Sequence, residues 1–221
     1  MKVLRASLGT LYALKTNAIC ALAAALIVLA ACQSESRNNL TRPTAVLEKS
    51  SESALRYVST ESTLPQLPVR SGERIHTTGS VPHVQMNVQP NHAINDTLVQ
   101  FAFSLPGVTE RPTRVSLPGA KGMWLDDSVS VERPDVILSG REFAHIHPDG
   151  SLHAPLSVER AREVAEKGWG ELHPWSGRRR GMDGFVMIFS PLNENELETV
   201  KQLIVDSYNH VTGQNLSAAA I

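Results

Sequence analysis

The side chains most able to do chemistry are concentrated in Arg141-Glu142-Phe143-Ala144-His145-Ile146-His147-Pro148-Asp149-Gly150-Ser151-Leu152-His153. Pro148-Asp149-Gly150 reads as a tight turn: proline fixes φ at the first corner, Asp suits the second, and glycine takes the left-handed position. A three-residue loop of this kind pairs His147 with Ser151, Ile146 with Leu152 and His145 with His153. Side chains alternate along a strand, so His145, His147 and His153 would share one face. His145 and His147 would stand about 6.5–7 Å apart along the strand, and His145 and His153 about 4.5–5.5 Å apart across it. Three imidazoles so spaced could hold Zn²⁺ or a similar divalent ion through bonds of ~2.0–2.1 Å, leaving a position for water. The competing expectation is a solvated cluster. Ile146 and Leu152 pair on the opposite face, which leaves the histidine face the wetter one, and an exposed triad binds metal weakly.

His173 is the fourth candidate. In Glu171-Leu172-His173-Pro174 the alternation puts Glu171 beside His173, where a carboxylate could orient an imidazole for general-base work. A surface pair is the plainer alternative. Trp169 and Trp175 are expected as core anchors. Arg178-Arg179-Arg180 lies between Gly177 and Gly181, hence in a loop. It could meet an anionic headgroup, or it could be a solvated charge run. Catalytic signatures that would name a reaction are missing: no Gly-x-Ser-x-Gly elbow, no phosphate-cradling loop, no dinucleotide fingerprint, no His-Glu-x-x-His. The balance of 21 basic and 22 acidic residues offers no field for nucleic acid. The two cysteines exclude a disulfide scaffold and an all-cysteine zinc cluster.

The elements that must position these groups are legible in part. Ile94, Leu98, Phe101, Ala102 and Leu105 recur at helical spacing until Pro106-Gly107. Strand-like pieces follow over 113–117, 121–125 and 141–147. Ser157 can cap a second helix, with Leu156 stapling onto Ala161, Val158, Ala161 and Val164 as its apolar stripe and Gly168 as its stop. The run 184–189 is apolar enough for a central strand. Asn193 with Glu196 three residues on starts the last helix, whose apolar face runs Leu197, Val200, Leu203/Ile204 and Tyr208. This order predicts an α+β fold, an antiparallel sheet with helices packed on one face.

The N-terminus reads as an address. Lys2, Arg5 and Lys15 precede an uncharged apolar run of 14 residues, 18–31, which as a helix would span about 21 Å, short of a bilayer core of ~30 Å. That pattern describes a secretory signal peptide, with an uncleaved anchor as the alternative. Its end, Leu29-Ala30-Ala31-Cys32, resembles the lipobox of bacterial lipoproteins. The resemblance implies removal of residues 1–31 and acylation of Cys32, with the lipid bilayer as partner and the cell envelope as location. Gln33 in place of Asp favours the outer membrane, facing the periplasm, in a Gram-negative source. Maturation would leave 18 basic against 22 acidic residues. From 32 to 90 the chain is rich in Ser, Thr, Asn, Gln and Pro, and is expected to be a largely disordered tether. Within it 45–58 carries a weak helical pattern, and 84–88 alternates as a strand would. The domain is expected over 91–214, with 215–221 frayed.

Leu105-Pro106-Gly107-Val108, 140–147, Gly150-Ser151-Leu152-His153, Gly168-Trp169-Gly170-Glu171-Leu172-His173-Pro174 and the closing helix over 203–208 together resemble the luciferase-domain family. The order of helix, sheet and helix is also similar to frataxin-like sandwiches. Neither resemblance supplies a mechanism. The expected function is a membrane-anchored, extracytoplasmic binding or envelope-associated module with an unidentified small-molecule or envelope ligand and no nucleic acid. The alternative is a His-based, metal-dependent enzyme using His145, His147, His153 and His173, with Glu171 as support.

Overall fold

A computed structural model describes residues 64–86 and 88–221. The expected signal peptide, Cys32 and the weak helical pattern read over 45–58 lie outside the described residues. Among those described, no helix is long and apolar enough to cross a membrane.

Six strands form an antiparallel sheet in the order β3-β4-β5-β6-β8-β7, where β3 is Val108–Pro112, β4 Lys121–Leu125, β5 Glu142–Ile146, β6 Leu152–Pro155, β7 Gly170–Leu172 and β8 Phe185–Ile188. Two short strands before it, β1 (His76–Thr77) and β2 (Gln85–Met86), pair with each other. Three helices complete the domain: α1 (His92–Ala102), α2 (Val158–Glu166) and α3 (Glu194–Thr212). Leu98 and Ala102 of α1, Ala161 and Val164 of α2, and Val200 and Leu203 of α3 share one core with Ile146, Leu152, Val186 and Ile188 of the sheet. The α+β class and the placement of helices on one face follow from that shared core.

The helix starts are chemical. Asn91, Ser157 and Asn193 each accept a backbone N–H from the third residue on, and Glu196 also accepts from Leu192 N at 2.9 Å. Gly213 closes α3 in the left-handed conformation, φ 72°.

Three expectations need correction. The strand over 113–117 does not form. β3 ends at Pro112, and Thr113 Oγ1 accepts the Val115 N–H while donating to Glu142, which turns the chain into a loop. The domain also does not begin at Asn91: residues 64–86 run across it as a strap. Leu67 enters the main core and Ile75 packs with Met187 and Phe189. Pro65 O, Leu67 N and Pro68 O are bonded to Arg160, Glu163 and Trp169. Polar composition hid these few anchoring apolar residues. At the other end, Leu216 packs on the core and is bonded through both backbone groups to Asn209, so the C-terminal segment is tied down past Gly213.

Candidate functional site

The hairpin forms in the expected register: His145 pairs with His153, Ile146 with Leu152, and His147 N donates to Ser151 O at 2.8 Å. Gly150 takes φ +84°, and a Cβ there would collide with the Asn95 side chain, so the turn requires glycine on two grounds. Ile146 and Leu152 face the helices, and the three histidines share the opposite face.

That face is dry, which overturns the solvated-cluster expectation. His145, His147 and His153 are 3, 5 and 5% exposed, because the strap and the loop after β3 cover them. Beneath this cover lies a cavity of about 330 Å³. Val81 and Pro82 of the strap, Val115 and Leu117 of the loop, and Phe185 of β8 supply its apolar walls. Trp175 and Arg179 complete it, the guanidinium 5.0 Å from the indole centroid. Trp175 is therefore a wall of the cavity, 37% exposed, and not a core anchor, whereas Trp169 is buried with its indole N–H on Pro68 O.

His173 joins the cluster, its ring centroid 5.1 Å from that of His153. Its Nδ1 accepts the Trp175 N–H at 3.2 Å. Glu171 does not orient His173. It accepts instead from His83 Nε2 at 2.6 Å and from the Thr77 hydroxyl. His83 is one residue that sequence reasoning missed, because it falls in the stretch read as tether. The alternation over 84–88 was the available signal, since it marked ordered chain, the short strand β2, directly after His83.

Five buried imidazoles thus line one cavity, and two trios have nitrogens within 4.8 Å of one another: His145/His147/His153 and His83/His153/His173. His145 Nε2 lies 3.1 Å from His153 Nδ1, and His153 Nε2 lies 3.1 Å from His83 Nδ1. Behind His147, Nδ1 meets Ser151 Oγ at 2.9 Å. That hydroxyl donates its own proton to Asp149 at 2.7 Å, so His147 is the donor and its Nε2 is left bare. Behind His145, the buried Glu142 carboxylate lies 3.6 Å from Nδ1 and accepts from Thr113 Oγ1 and Arg114 N. Glu142 reaches this face through a bulge: Met123 opposes Ala144 but Trp124 opposes Glu142, so Phe143 is the extra residue that resets the alternation.

Burial, reinforced by neighbouring imidazoles, pushes His145 down to about 3 and His173 down to about 4. It lowers His147 as well, with Asp149 opposing, and holds His153 well below the ordinary value. These are neutral rings at neutral pH, the form that ligates metal.

Residues 140–207 match the family "Luciferase domain", in support of the resemblance seen in the motifs. The chain is similar to the luciferase of Armillaria mellea, 33% identical over 170 residues, covering 67% of this chain and 62% of that protein. It is similar to that of Armillaria gallica at 32% over 169 residues, again 67% and 62%. The luciferase of Neonothopanus nambi is 31% identical over 106 residues, 42% of this chain and 39% of that protein. The chain thus spans about three fifths of the length of the Armillaria relatives. No solved structure matches it.

Proposed function

We propose that the chain is an enzyme whose centre is a divalent metal ion held by His145, His147 and His153 in the floor of the strap-covered cavity. The observation that carries this reading is the convergence of three neutral, buried imidazoles from one hairpin. Each has a partner behind it: Glu142 for His145, Ser151 and Asp149 for His147, and His83 for His153. Such outer partners fix ring orientation and raise ligand basicity in metal sites. The donor set of nitrogens without thiolates suits zinc, copper, nickel or iron rather than calcium or magnesium.

An ion there would polarise a substrate oxygen as a Lewis acid. The protein's own part is to exclude water, through the strap and the apolar walls, and to orient the substrate. Arg179 at the wall can pair with an anionic or carbonyl oxygen, and Trp175 offers a flat face. His173 accepts from the backbone through Nδ1, so its neutral ring carries the proton on Nε2 and serves as a donor to a bound molecule.

The relatives are named luciferases, which supports a catalysed reaction in this cavity over the binding or envelope module expected first. The anchoring reading stands beside it: Cys32 acylated, the domain held at a cell-envelope membrane. The test of the centre is elemental analysis of the full chain purified without a histidine tag. About one equivalent of a transition metal is expected, and its loss in His147→Gln. Substoichiometric metal after mild dialysis overturns the reading.

A further inference from the structure

We infer that His83, brought by the strap and held by Glu171, is the positioning residue that makes His153 a ligand through Nδ1, so that metal binding and strap docking reinforce one another. This rests on the metal reading above. It follows from the geometry of the row Glu171–His83–His153–His145–Glu142.

The row has a carboxylate at each end and three imidazoles between, each with two nitrogens. Its four approaches are 2.6, 3.1, 3.1 and 3.6 Å. Each end is an acceptor, so His83 donates from Nε2 to Glu171. His153 turns Nε2 to His83 Nδ1 and Nδ1 to the other two rings, so an ion bound at Nδ1 leaves the ring proton on Nε2, where His83 Nδ1 is placed to accept it. From the other end, a proton on His145 Nδ1 faces Glu142 and bares His145 Nε2. His153 Nδ1 and His145 Nε2 face one another at the point that the bare His147 Nε2 also approaches. A cation at that point binds all three bare nitrogens and leaves the Glu171–His83 and His83–His153 contacts in place. Nitrogens 3.1 Å apart need little movement to share an ion through bonds of ~2.0–2.1 Å.

The strap makes a second connection to the same centre. Gln85 Nε2 donates to Asp149 at 3.2 Å, and Asp149 holds Ser151, which receives the His147 proton. Gln85 also exchanges bonds with Ser190, its amide oxygen accepting from Ser190 N at 2.9 Å and its Nε2 donating to Ser190 Oγ at 3.0 Å. Residues 83 and 85 therefore reach two of the three ligands from behind. The sheet supplies the ligands, and the strap sets which nitrogen each presents.

The experiment uses the full chain and Co²⁺, with dissociation constants and visible absorption read for the parent, His83→Phe, Glu171→Leu and Glu171→Gln. His83→Phe keeps a ring but removes the acceptor, and affinity should fall by about 10–100-fold with an altered absorption band. Glu171→Leu should weaken binding in the same direction. Glu171→Gln keeps an oxygen that can accept from His83 Nε2, so it should recover most of the affinity. Trypsin cleavage after Arg74, an exposed strap residue, should be slowed by saturating Co²⁺ in the parent and not in His83→Phe. A parent that binds no Co²⁺ defeats the metal reading itself. A parent that binds, with His147→Gln impaired but His83→Phe equal in affinity and spectrum, defeats this inference alone. Should His83→Phe not fold, the Leu/Gln comparison at the half-buried Glu171 decides: equal affinities overturn the relay.

Discussion

His153 Nδ1 and His145 Nε2 face one another across the β5–β6 ladder at 3.1 Å, in a pocket where neither ring readily takes a second proton. A cation held by both rings ties β5 to β6. Metal should therefore raise stability by mass action, about 2.7 kcal/mol at a hundredfold excess over the dissociation constant. Thermal unfolding of the chelator-treated chain with and without added Zn²⁺ measures this. The upward shift should vanish in His147→Gln. An equal shift in parent and variant would place the ion elsewhere.

The turn that sets the register is the next point of weakness. Gly150 has positive φ and packs against the Asn95 side chain, which itself lacks hydrogen-bond partners in its buried position. Gly150→Ala strains the backbone and displaces that side chain, so a loss of about 1–3 kcal/mol is expected. Because Asp149 and Ser151 flank the glycine, the same change should weaken metal binding. Denaturant midpoints and Co²⁺ titration on one variant test both effects. Unchanged affinity in a destabilised but folded variant would separate the turn from the centre.

Much of this site was legible from residue types and spacing. Pro148-Asp149-Gly150 determined the hairpin, and the hairpin determined that His145, His147 and His153 share a face. The helix caps at Ser157 and Asn193 were equally local signals and appear as expected. What could not be read was long-range cover. Burial of the histidine face depends on a strap 70 residues before His153, fixed by single contacts such as Leu67 in the core and Trp169 on Pro68 O. Polar composition measures the average of such a segment and misses those anchors. Glu142 escaped for a different reason. Strict alternation puts it with Ala144 and Ile146 on the core side, and only the bulge at Phe143 returns it to His145. Glu171 was seen on the correct face but given the wrong partner, because the partner came from the strap.

Arg160 extends the same dependence on the strap into stability. Its guanidinium is 3% exposed and bonded to Asp206, Glu163 and Pro65 O, joining α2, α3 and the strap. Arg160→Leu leaves Asp206, already raised by burial, without its charge partner. A loss of about 3–5 kcal/mol is expected, as when one member of a buried pair is removed. The double variant Arg160→Leu/Asp206→Leu should recover part of it. A double variant no more stable than the single one would show that packing, not the uncompensated charge, dominates.

The proposed anchor has its own test. Cys32→Ser should abolish incorporation of labelled fatty acid and move the protein from the membrane to the soluble fraction, since two or three acyl chains hold a protein stably while none does not. A Cys32→Ser chain that stays with membranes through an intact N-terminus would favour the signal anchor instead.

The last expectation concerns acid. A histidine lowered by burial takes its proton more readily in the unfolded chain, so acid favours unfolding. Stability from such a ring is intact above the unfolded value of about 6.5 and falls as the pH drops below it. The loss levels off only beneath the folded values, about 3 for His145 and about 4 for His173. Between those limits each ring costs about 1.4 kcal/mol per pH unit. His145 faces His147, His153 and the Glu142 carboxylate, and the burial that lowers it outweighs that one favourable charge. The metal-free chain should therefore show a lower denaturant midpoint at pH 5.0 than at pH 7.5, and His145→Gln should shrink the difference because one titrating ring is gone. Bound Zn²⁺ should hold the parent's midpoint up until protons displace it, moving the drop to lower pH. If His145→Gln keeps the whole of the parent's metal-free drop, proton uptake by His145 is not what destabilises the domain in acid.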